Sequence, residues 1–198
     1  MSGTATNVTA GKPKTSGAVF TAPAGTTLPT DAVTAMPSVS DAYKDLGFVS
    51  EDGVTESISI ATTAIKEWGG SIVLVTQDEK TATFKFELIE YLKKEVQQFA
   101  NGDDNVTGDI DSGMVITVDD SDAGERVLVF WQILRGGIPL RIVVPRCKII
   151  AVGDIVYKGN DAIAYNVTVQ ASKEVSGQYY KKYMGGAQGA TGATGATS

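Results

Sequence analysis

The chain has 198 residues, with 17 Lys+Arg, 23 Asp+Glu, no His and one Cys. Without histidine it cannot build a Ser-His-Asp or Cys-His catalytic group, or a His-ligated zinc, copper or non-haem iron site. The single Cys147 closes no internal disulfide, and a formal charge of −6 argues against general nucleic-acid affinity, which needs clustered Lys and Arg.

Residues 1–40 are rich in Thr, Ala, Gly, Pro and Ser, and Pro13, Pro23, Pro29 and Pro37 interrupt any regular element. They read as an extended arm, either a polar leader or a strap that docks on a neighbouring surface, with Phe20, Leu28 and Met36 as its anchors. The first residues lack a basic start followed by an apolar run, so no secretory signal is read there. Cytosolic synthesis with Cys147 reduced is expected.

Residues 46–50 predict a strand, and Glu51-Asp52-Gly53 a turn. A second strand, Val54 to Ile60, puts Val54, Glu56, Ile58 and Ile60 on one side. Ala61 to Gly70 predicts a loop with a helical turn around Trp68, and Ser71 to Thr76 the returning strand of a long hairpin. Trp68 either tucks onto its own domain or is an exposed anchor.

Thr81 to Ile89 alternates, with Phe84, Phe86 and Leu88 on one face. The period then changes: Ile89, Leu92, Val96 and Phe99 form a helical stripe, so a helix is predicted over residues 90–100, stopped at Asn101-Gly102. Strands follow at 115–118, 126–134, 140–144 and 148–152, the last two separated by Pro145. The segment 126–134 is apolar on both faces, which predicts cover on both sides or an interface. Gly136-Gly137 predicts a tight hairpin turn rather than a phosphate loop. A final strand is marked by alternation from Ile163 to Ala171. Lys181 and Lys182, set among Tyr179, Tyr180 and Tyr183, read as a docked C-terminal segment rather than a nucleic-acid platform. Gly186, Gly189, Gly192 and Gly195 mark a flexible Gly-Ala-Thr tail, without the proline or length of collagen.

The negative charge is local. Asp103, Asp104, Asp109, Asp111, Asp119, Asp120, Asp122 and Glu125 fall between residues 101 and 125, with no Lys or Arg among them. That leaves 15 acidic residues against 17 basic ones in the rest of the chain. The spacing from Asp103 to Gly108 fits half of an EF-hand loop, but Met114 stands where a bidentate Glu is needed. The segment is therefore read as a solvated acidic loop or an acidic surface that repels DNA, with no metal, cofactor or catalytic set assigned. Short alternating strands plus one helix indicate a β-sandwich or barrel with a flanking helix.

Several segments together carry a resemblance. Residues 18–31 (AVFTAPAGTTLPTD), 43–55 (YKDLGFVSEDGVT), 65–70 (IKEWGG) and 84–90 (FKFELIE) resemble major tail proteins, the tail tube proteins, of long-tailed bacteriophages with non-contractile tails, with closest likeness to those of phages of actinobacterial hosts. The likeness runs from about residue 18 to 172 and is strongest up to 100. It implies a mainly β fold: a β-sandwich of two antiparallel sheets with one flanking helix. It also implies a virion protein that forms hexameric rings, stacked into a hollow tube around a tape measure protein. Such a tube ends in tip and terminator proteins and passes DNA without binding it specifically.

On that footing residues 1–40 are the arm, 41–184 the tube domain and 185–198 the tail. Ile65, Lys66, Glu67 and Trp68 are the candidate ring-stacking loop. A virion location, assembly in the host cytoplasm, and no enzyme or membrane role are expected. A monomeric β-sandwich module that recognises a protein or glycan is the alternative.

Overall fold

The computed structural model describes residues 8–14 and 18–186; the Gly-Ala-Thr repeats that follow lie outside the described residues. Three very short strands, β1 (Gly11–Pro13), β3 (Lys44–Asp45) and β11 (Lys181–Met184), accompany six longer ones. The longer ones are β2 (Val19–Pro23), β4 (Val49–Lys66), β5 (Ile72–Leu88), β8 (Arg126–Leu134), β9 (Ile138–Val152) and β10 (Tyr165–Ala171). All nine form one antiparallel sheet in the order β3-β2-β8-β9-β10-β5-β4, with β1 added to β8 and β11 to β9. A small second sheet pairs β6 (Val106–Thr107) with β7 (Val115–Ile116). The mainly β architecture is as expected, and its two antiparallel sheets are one large and one small.

The large sheet curls back on itself. Phe84 and Phe86 of β5 pack against Phe130 of β8, at ring-centroid distances of 5.1 and 5.4 Å, although two strands separate β5 from β8 in the sheet. This inner core also takes in Leu128, Val144, Val167 and Val169, closed at one end by Val96 and Phe99. Each fully buried Phe or Leu here contributes on the order of 2 kcal/mol of transfer free energy. The alternation read in β5 and β10 is realised: Phe84, Phe86 and Leu88, and Tyr165, Val167, Val169 and Ala171, are all buried.

The opposite face of β8 is also covered, as its two-faced apolar pattern implied. Val127, Val129 and Trp131 pack there with Phe20, Ala22, Met36 and Tyr43. Residues 19–45, expected as part of or next to an arm, therefore supply two strands of the sheet, one helical turn α1 (Met36–Val39) and a second core. The fold makes use of the apolar positions Val19, Phe20 and Met36 despite the surrounding prolines, because Pro23 is the last residue of β2 and lies beyond the two residues, Phe20 and Thr21, that pair with β3.

Four boundaries differ from expectation. The helix α2 spans Lys94–Asn101 rather than 90–100. Its first turn is lost because the Glu90 carboxylate accepts a hydrogen bond from the Phe48 backbone N–H at 2.8 Å, and Leu92 is left exposed. Gly47 permits that approach: it sits at φ +78, and a Cβ there would collide with the Glu90 carboxylate. The helix stop is as read, with Gly102 N–H donating to Gln98 O at 2.9 Å.

Pro145 does not divide two strands; β9 runs through it. It falls between the residues that pair with β11, ending at Val143, and those that pair with β10, starting at Cys147. The β8 register also shifts there, so no ladder hydrogen bond is demanded of it. Finally, residues 61–66 are strand, not loop, and the segment 115–118 is strand only at Val115–Ile116. The β8–β9 turn is the tight hairpin expected, with Gly136 and Gly137 both at positive φ and Gly137 N–H donating to Leu134 O.

Candidate assembly surface

Val49 pairs with Leu88, and the next paired residue of β4 is Val54, opposite Phe86. Four residues of β4, Ser50 to Gly53, therefore face Glu87 alone, in a wide bulge closed by Gly53 at positive φ. The turn chemistry read at Glu51-Asp52-Gly53 is present, but it bends one strand instead of joining two.

Beyond the bulge, β4 and β5 run paired to Lys66 and Ile72. From Ile58 outward nearly every residue of this hairpin is exposed. Ala64 faces Val75, and the next pair, Ile65 with Leu74, lies on the other side of the ribbon. Both faces of the hairpin end are thus apolar and wet. A two-stranded ribbon is at best marginally stable in water, and clustered exposed apolar side chains mark an interaction surface. The tip is a tight turn, with Gly70 N–H donating to Glu67 O and Glu67 N–H to Ser71 O, both at 2.9 Å. Trp68 stands on it fully exposed, at 107% of its reference area. It does not tuck onto its own domain. Ile65, Lys66, Glu67 and Trp68 are all exposed.

The base of the hairpin is held. Tyr179 Oη donates to Lys80 O at 2.6 Å, Tyr180 Oη bonds the Glu56 carboxylate, and Lys182 Nζ lies 2.5 Å from Glu56 Oε2. Burial, then the adjacent Glu56 carboxylate, pushes the Tyr180 phenol up to about 12. The C-terminal segment expected to dock does so, as β11 on β9. The outer edge of β4 has no partner strand among the described residues, and its 18 residues contain no proline. A long edge of this kind is a template for another chain.

The three arm positions lie together on the second core: Phe20 and Met36 are buried and Leu28 is partly buried. The clasp over them is Arg141, which is fully buried and donates to Asp31 O at 2.9 Å and Thr34 O at 2.5 Å. Its guanidinium lies 4.1 Å from the centre of the Trp131 ring, and Lys14 Nζ lies 3.2 Å from it. Trp131 Nε1 donates to Ala32 O. Burial lowers the Arg141 pKa, and the hydrogen bonds from Thr34 hold Asp31 below the ordinary carboxylate value.

The acidic segment spans the exposed connection from α2 to β8. Three of its eight carboxylates pair with cations beyond it: Asp103 with Arg126 at 3.2 Å, Asp122 with Lys148 at 2.5 Å and Glu125 with Arg146 at 2.5 Å. Asp109 accepts from Ser112, and Asp119 from Ser121 and Asn105. Asp104, Asp111 and Asp120 are exposed. No group of three acidic or Cys side chains converges as a metal site among the described residues. Cys147 is buried, and burial raises its thiol to about 12, so it stays protonated.

A β-rich body that projects an apolar hairpin and leaves a long edge unpaired is the form of a self-assembling structural subunit. Residues 5–187 match the family model described as phage tail tube protein, and the chain belongs to that family. It is a structural component of a phage tail, which assembles with itself into a tube within the virion. Among curated proteins none matches the chain. The hairpin strands beyond Ile65–Trp68 were not singled out from sequence. The run Ile72-Val73-Leu74-Val75 reads as the returning strand of the hairpin, and nothing local says that it leaves the body.

Proposed function

We propose that the protein polymerises as stacked hexameric rings into the hollow tail tube that conducts DNA at ejection. The exposed β4–β5 hairpin with Trp68 at its tip carries this reading. Buried against the next ring, its apolar faces cease to be a cost, and the unpaired β4 edge supplies backbone hydrogen bonds to a neighbour. Burial of Phe20 and Met36 and the pairing of β1 with β8 support an anchoring role at home for these segments, which leaves the residues before β1 as the strap to a neighbour.

The tape measure protein occupies the lumen during assembly in the host cytoplasm, and tail tip and terminator proteins close the two ends. The unpaired acids of the 101–125 segment repel DNA phosphates where they face its path. Sizing chromatography and negative-stain microscopy of the purified full chain test the reading. Tubes or rings are expected; a monomer near 20.7 kDa at every concentration overturns it.

A further inference from the structure

The hairpin tip presents three consecutive side chains of different kind: a cation, Lys66, an anion, Glu67, and the exposed indole of Trp68. A complementary concavity exists elsewhere on the same chain. Between β1 and the bulge of β4 lies a groove of about 390 Å³, lined by Pro13, Ala18, Val49 and Val54 as apolar surface and by Lys12, Glu51 and Asp52 as charges. The acids stand on the β4 wall and the lysine on the β1 wall. An adjacent groove of about 430 Å³ has Ile89, Val156, Ala162 and Ala164 as apolar surface, but its charges are acids apart from Lys158, which pairs with Asp161 at 2.8 Å and so is not available to Glu67.

Tip and groove lie at opposite ends of β4. Fifteen residues of strand separate Asp52 from Glu67, about 50 Å at ~3.3 Å per residue. One chain cannot bring its own tip into its own groove. Contact between the tip of one copy and the groove of another is heterologous, so it can repeat from copy to copy, and where the rotation does not close it generates a linear stack.

We propose that the groove between β1 and the Ser50–Gly53 bulge is the receptor for the hairpin tip of a second copy of this chain. Trp68 enters over Ala18, Val49 and Val54, Lys66 meets Glu51 and Asp52, and Glu67 meets Lys12. An indole fully covered in this way buries roughly 150–250 Å². The charges on the two walls fix which way round the tip enters, since a reversed entry juxtaposes like charges. This proposal rests on the stacking role given to the hairpin and names the surface that receives it.

The test uses charge exchange in the full-length protein, on residues that are exposed and so dispensable for folding. Lys66→Glu is expected to reduce the yield of tubes at least tenfold, and Lys66→Glu combined with Asp52→Lys to restore most of it. In parallel, the Glu67→Cys, Lys12→Cys double variant is expected to give a ladder of interchain disulfides under mild oxidation when assembled, and none as dilute monomer. Full tube yield from Lys66→Glu, failure of Asp52→Lys to rescue, or double-cysteine tubes without a ladder would each overturn the groove assignment while leaving hairpin stacking in place. A wild-type chain that forms no tubes overturns both.

Discussion

Trp131 of β8 and Arg141 of β9 are direct cross-strand partners, and the guanidinium lies over the indole at 4.1 Å while donating to the backbone of Asp31 and Thr34. One buried cation thus ties the irregular segment 30–35 to the centre of the sheet. Removing it leaves a cavity and unpaired carbonyls. Arg141→Ala is expected to cost on the order of 3 kcal/mol in denaturant unfolding. Arg141→Lys should recover little, because one ammonium cannot stack and serve two carbonyls in the same geometry. An unchanged midpoint for the alanine variant refutes the clasp.

The same clasp sets a pH dependence. Asp31 is held below its ordinary value of 3.8, first by hydrogen bonds from Thr34 and also by Arg141. A carboxylate with a lowered folded-state pKa adds stability that is fully present above its unfolded value and is lost as pH falls through the folded one. Asp31→Asn should therefore lower the melting temperature at pH 7 and make little difference well below pH 3.8. A penalty equal at both pH values counts against it.

Phe130 meets both Phe84 and Phe86 where the curled sheet closes on itself. Phe130→Ala is expected to destabilise the fold by about 4 kcal/mol through lost transfer energy and a cavity. Calorimetry showing a loss below about 1 kcal/mol would mean that the two sides of the sheet do not depend on this contact.

Trp68 makes the contrasting case. Being fully exposed, it adds nothing to the monomer's core, so Trp68→Ala should unfold within about 0.5 kcal/mol of the parent. Tube growth should nonetheless fail or give short tubes. Tubes of normal length under the electron microscope would remove Trp68 from the interface.

Much was legible in the sequence because its signals are local. The alternation in β5 and β10, the two-faced β8, the Gly136-Gly137 turn and the Gly102 stop depend on neighbours within a few residues. The errors also have physical causes. The Ile89–Phe99 stripe promised a longer helix, but Glu90 is drawn to Phe48, more than forty residues away in the chain. Pro145 looked like a break, yet the strands beside it leave a gap where its missing N–H is not needed. Residues 19–40 looked like part of an arm because of their prolines, while Phe20 and Met36 had a partner surface on β8 that no local pattern announces.

The counts and periodicities alone determined that this protein lacks histidine chemistry and disulfides, is mainly β, and carries its excess negative charge between residues 101 and 125. Those properties follow from residue type and short-range spacing. Only the tertiary structure decided where the apolar strands end up. Ile72 to Val75 is an unbroken apolar run and Phe84 to Leu88 alternates with Lys85 and Glu87 on the same strand, yet the first stands in water while Phe84, Phe86 and Leu88 are core. The difference is what lies across from them: Phe130 and α2 cover one end of the ribbon, and nothing among the described residues covers the other.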